Sequence, residues 1–99
     1  MDNIRVVCEA DPETWVEYRA NISRKDINAY AAAIADNDLT ALAEVLAGFI
    51  TDMNVGGCRS VEALNAAEDV PIYAETFFAL AFGEAIATAR QLGKPKRLA

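Results

Sequence analysis

Nucleophilic chemistry needs a serine, threonine or cysteine beside a base, and this chain has no histidine to serve as one. The same absence removes the commonest zinc ligand. Cys8 and Cys58 are the only cysteines. A single possible pair is no disulfide framework, so a reduced setting is expected. Cys58 follows Gly56-Gly57 and leads through Arg59 to Ser60, a loop-to-helix run that could hold an anion on backbone amides. It lacks the lysine and spacing of a phosphate loop. The carboxylate pairs Asp36/Asp38 and Glu68/Asp69 invite a search for glycosidase or metal chemistry. Both fall at helix ends, where capping accounts for them, and the calcium-loop pattern is absent. The expectation is a protein with no catalytic residues, no cofactor and no metal site.

Charge points the same way. The chain of 99 residues carries fifteen acidic and nine basic side chains. Four of the basic ones, Arg90, Lys94, Lys96 and Arg97, lie in the last ten residues. The first 89 therefore hold five basic against fifteen acidic groups, a net charge of −10. An acidic body does not suit phosphate backbones, and the basic tail contains no aromatic residue to stack on bases, so no nucleic-acid partner is expected. Residues 1–5 offer no apolar signal stretch, and no run of about 20 uninterrupted apolar residues spans a bilayer. The expectation is a soluble intracellular protein with no membrane partner.

The elements that would position any site follow from periodicity. Ile4–Cys8 is an apolar, β-branched run, and 15–19 alternates, so two strands are read as a hairpin turning at Asp11-Pro12-Glu13-Thr14. Asp-Pro-Glu is equally a helix-start signal. Ser23 and Asp26 form a capping-box pattern for a helix over 24–35. Asp38 caps a second helix whose stripe Leu39, Leu42, Ala43, Leu46, Phe49, Ile50 and Met53 is the strongest periodic signal in the chain. Asn54-Val55-Gly56-Gly57 reads as a turn, and Ser60 caps a short helix through Ala67. A long helix follows over 71–92, stopped at Gly93. The fold expected is mainly α: a small helical domain of about four helices with a short N-terminal β-hairpin. It occupies residues 1–92, with a basic tail over 93–99.

The long helix is apolar nearly all round. Ala74, Phe78, Ala81, Phe82, Ala85, Ile86 and Ala89 make one broad face; Tyr73, Phe77 and Leu80 make a second. A second apolar face belongs either to a central helix or to a contact with another chain. Tyr73, Phe77 and Leu80, with Met53, are the candidate partner-binding residues.

The order of pieces then carries a resemblance. The strand Trp15-Val16-Glu17-Tyr18-Arg19 precedes a helix opened by Ser23-Arg24-Lys25-Asp26. An apolar helix runs into Asp52-Met53-Asn54 and a glycine turn, then Ser60-Val61-Glu62-Ala63-Leu64, Val70-Pro71 and the long helix. Over residues 14–92 this succession resembles the tail assembly chaperones of long-tailed, siphovirus-type bacteriophages, with Met53 standing where many relatives have tryptophan. The resemblance implies a non-enzymatic protein that binds the tape measure protein, keeps it soluble and recruits tail tube protein. It also implies a homo-oligomer working in the host cytoplasm and absent from the mature virion. The alternative is a structural head-tail connector or completion protein retained in the particle.

Overall fold

The computed structural model describes residues 3–95. Two short strands, β1 (Ile4–Val7) and β2 (Trp15–Tyr18), form the expected antiparallel hairpin. The turn residue Asp11 closes it, its Oδ1 accepting from the Glu13 amide at 3.1 Å and its Oδ2 from the Thr14 hydroxyl at 2.9 Å. Helix α1 (Arg24–Ala35) opens on a complete capping box between Ser23 and Asp26. Helix α2 (Leu39–Phe49) opens on Asp38, whose carboxylate accepts from the Ala41 amide.

Here the expected architecture needs correction. Helix α2 ends at Phe49, and the chain passes without a loop into a third strand, β3 (Ile50–Asn54). The sheet runs β1-β2-β3, all antiparallel, so β2 is central and α1 and α2 form the excursion between two sheet neighbours. With about 53% helix and 16% strand, the domain is α+β and not mainly α. Local propensity weakens the helix here, and pairing with β2 decides the outcome. Ile50 and Met53 continue the helical spacing, but Ile50-Thr51 is β-branched and Gly48 weakens the last helical turn. The segment gains more by pairing with β2, where Met53 lies opposite Val16. Thr51 is the extra residue of a bulge there, its hydroxyl 3.2 Å from the Glu17 carbonyl oxygen.

Val55 and Cys58 exchange backbone hydrogen bonds around Gly56 and Gly57, with φ of +59° and +87°. Two successive positive φ values define the tight hairpin turn expected at paired glycines. Helix α3 (Val61–Ala66) follows its Ser60 cap, and α4 (Ile72–Leu92) runs from Pro71 to Gly93. Lys94 falls within the described residues, whereas Lys96 and Arg97 of the basic tail lie outside them.

Helix α4 lies across one face of the sheet. It supplies Ala74, Ala81, Phe82 and Ala85 to a core that takes Ile4, Val16, Tyr18 and Met53 from the strands. Phe82 is the hub: its ring centroid lies 5.0 Å from Phe49, 5.4 Å from Tyr18 and 4.7 Å from Tyr30. Each such pair adds about 0.5–1.5 kcal/mol beyond area burial. Arg19 locks the corner where β2, α1 and α2 meet. Its guanidinium donates to the Gly48 carbonyl at 3.2 Å and pairs with Asp26 at 3.3 Å.

Candidate functional site

Of the four residues predicted to bind a partner, the structure separates one from the rest. Met53 is buried at 1% exposure between sheet and helix, so its side chain is core and offers no surface. Phe77 is half-buried and packs against the core from the flank of α4. Tyr73 and Leu80 are exposed, at 45% and 65%. They share the outer side of α4 with Ile72, the most exposed large apolar residue at 75%, which the two-face projection left out. Thr76, Ala79, Gly83, Ala87 and, near the C-terminal end, Arg90 complete that side, all exposed. Only Glu75 and Glu84 interrupt the helix between Ile72 and Ala89.

By length and composition alone α4 could cross a membrane, its most apolar 18-residue window averaging a hydropathy of 1.2. Only 22% of that window is buried inside the domain. Phe77, Phe78, Ile86 and Ala89 are half-buried against the core, and the exposed apolar positions from Ile72 to Ala89 are Ile72, Tyr73, Ala79, Leu80 and Ala87. A second apolar feature sits at the far end of α4. There Ala20, Ile22, Ile27, Ile86, Ala89 and Leu92 line an open groove of about 350 Å³.

The sheet face opposite α4 is built differently. Trp15 carries the Arg5 guanidinium 4.0 Å above its ring, with Arg59 at 5.5 Å. Arg5 pairs with Glu17 at 3.5 Å and Arg59 with Asp52 at 3.2 Å. Register places Glu17 directly opposite Asp52, and the two arginines offset that like-charge contact. Both guanidiniums are engaged by carboxylates, so this face is a closed charge network and not a bare cationic patch. Period-2 alternation placed Trp15 and Glu17 together, but their partners in β3 come from a strand the sequence reading had assigned to helix.

The other candidate chemistry resolves into structure. The Gly56 amide lies 3.5 Å from Thr14 Oγ1 and the Cys58 amide donates to the Val55 carbonyl, so the glycine loop spends these donors internally. Ser60 and Asp38 act as caps. Cys8 is buried, Cys58 half-buried, and both are free. Among the described residues, no three histidine, cysteine, aspartate or glutamate side chains cluster as a metal site. The ionisable groups that do shift are structural. Asp11 is held below the usual carboxylate range by hydrogen bonds from the Thr14 hydroxyl, the Tyr73 hydroxyl and the Glu13 amide. Asp26 is lowered chiefly by the Ser23 amide.

No protein-family model, curated protein or solved structure matches this chain.

Proposed function

We propose that this protein is a non-enzymatic binding module whose outer α4 face holds amphipathic helices of a client chain. Its role would be that of a phage tail assembly chaperone in the host cytoplasm, keeping a tape measure protein soluble and bringing tail tube protein to it. One observation carries the proposal: Ile72, Tyr73 and Leu80 are exposed together on a side of α4 that carries no charge but Arg90 near its C-terminal end and is flanked by Glu84, on a helix that already supplies the domain core. A helix offering an apolar face beyond its own core suits a partner helix that also lacks cover. The net charge of −10 in the first 89 residues supports the reading, because a carrier of exposed apolar chains must itself resist precipitation. The tape measure and tube partners come from the resemblance of residues 14–92 to tail assembly chaperones.

Co-expression with the long helical product of the neighbouring reading frame tests this. That product should be soluble only beside the wild-type chain and should precipitate beside an Ile72→Asp/Leu80→Asp double variant of unchanged circular dichroism, both positions being exposed. Equal rescue by both chains, or none by either, overturns the proposal. Mass spectrometry of purified virions should not find the protein; ring-like stoichiometry there identifies a connector instead. Flotation of the pure protein with phospholipid vesicles would assign the α4 face to a membrane and also overturn the reading.

A further inference from the structure

Tyr73, Thr76, Leu80, Gly83, Ala87 and Arg90 follow one another at alternating intervals of three and four residues, and all six are exposed. That is the spacing of a two-helix seam. It lies away from Ala74, Ala81, Phe82 and Ala85, which face the sheet. Gly83 stands in the middle of a 21-residue helix, where glycine is the poorest helix former after proline. A Cβ at that position would meet nothing within 4 Å, so nothing inside the chain requires the glycine.

We propose that a second copy of this chain covers the outer face of α4, the two helices running antiparallel about a two-fold axis between Leu80 and Gly83. In that register Leu80 of each copy projects over Gly83 of the other, a large residue over the one position with no side chain. Thr76 meets Ala87. Arg90, which makes no ion pair among the described residues, reaches the first turn of the opposite helix, where the Tyr73 hydroxyl donates to the Asp11 carboxylate at 3.0 Å. The opposite charges meet twice by symmetry, and the helix dipoles also run opposed. Parallel pairing would set Arg90 on Arg90 and Leu80 on Leu80, leaving a gap at paired glycines.

The seam is about 26 Å long at 1.5 Å per residue. Covering it removes on the order of 1,000 Å² from water in total, close to the lower bound for a specific interface. An interface of that size suits a weak dimer that dissociates on dilution. A client helix taking this face must displace the second copy. The two proposals fail separately, because self-pairing is read on the pure chain and the chaperone reading on client solubility.

Sedimentation velocity from about 1 to 500 µM should show the 10.7 kDa chain shifting to twice that mass. Gly83→Leu should remain monomeric throughout this range with a melting temperature equal to or above wild type, since it fills the partner's hole and strengthens the helix. Leu80→Ala should weaken the dimer at least tenfold, and it carries the same reading if Gly83→Leu fails to fold. With Cys8 and Cys58 replaced by alanine, a short bis-maleimide should cross-link a mixture of Thr76→Cys and Ala87→Cys chains but neither chain alone. A wild-type chain monomeric at 500 µM, a dimer that survives Gly83→Leu, or cross-linking of Thr76→Cys chains to themselves overturns the proposal.

Discussion

The Tyr73 hydroxyl donates to Asp11 Oδ2 at 3.0 Å, joining the first turn of α4 to a hairpin turn 62 residues earlier. The contact links the sheet to the helix that covers it. Thr14 and the Glu13 amide donate to the same carboxylate, which lies below its usual range, while the Tyr73 phenol is raised, chiefly by that bond. A depressed carboxylate stabilises the fold above its unfolded value and loses that contribution as pH falls through the folded value. A raised phenol keeps its contribution below its unfolded value and loses it as pH climbs through the folded one. Tyr73→Phe should therefore be less stable than wild type in urea at pH 7. The gap should narrow both below pH 4 and above pH 10; a gap independent of pH would show that the bond does not form.

Tyr18 occupies the centre of the sheet at 0% exposure, and its hydroxyl has no hydrogen-bond partner among the described residues. Burial pushes its phenol far above the ordinary range. An unpaired buried hydroxyl costs about 1–3 kcal/mol. Tyr18→Phe keeps the contact with Phe82 and removes that cost. The variant should melt roughly 4–8 °C higher per kcal/mol regained, measured by calorimetry. A lower melting temperature would mean that the hydroxyl is satisfied in solution.

Much of this fold was legible in the sequence because its signals were local. The Ser23/Asp26 capping box, the Asp38 and Ser60 caps and the paired glycines each act within a few residues, and each element opens where its cap lies. The third strand was not legible, since Ile50–Asn54 is held by β2, more than 30 residues earlier, and period-3.6 spacing extends over it by coincidence. That one misreading also displaced Met53 from core to candidate surface. Tyr73 and Leu80 were recognised as a second helix face. Ile72 was not, although at 100° per residue it falls on the strip of Thr76, Gly83 and Arg90, opposite the buried face.

Met53 and Leu80 should therefore answer oppositely to truncation. Met53 faces Val16 within the core, and removing its side chain should cost about 2–5 kcal/mol. Leu80→Ala removes a side chain that is 65% exposed from a helix that accepts alanine readily, so the monomer should change by less than about 0.5 kcal/mol. Denaturation at a concentration well below self-association isolates the monomer term. A large loss at Leu80 would place that residue in the core and remove it from any docking surface.

The glycines separate backbone demand from mere space. At Gly56 φ is +59°, and a Cβ would sit 3.3 Å from Val70 Cγ1 and 3.5 Å from Pro71 Cδ, where the turn passes under the start of α4. Gly56→Ala incurs both a left-handed backbone and a crowded methyl, so it should cost more than about 1 kcal/mol. Gly57→Ala meets open space at φ +87° and should show the backbone cost alone. Gly48 lies in α2 with no neighbour for a Cβ, so Gly48→Ala should raise stability by about 0.5–1 kcal/mol through helix propensity. The expected order of midpoints in urea is Gly56→Ala, then Gly57→Ala, then wild type, then Gly48→Ala. A Gly48→Ala chain less stable than wild type would mean that glycine is needed to let α2 give way to β3, making that junction, and not the turn, the constraint on the third strand.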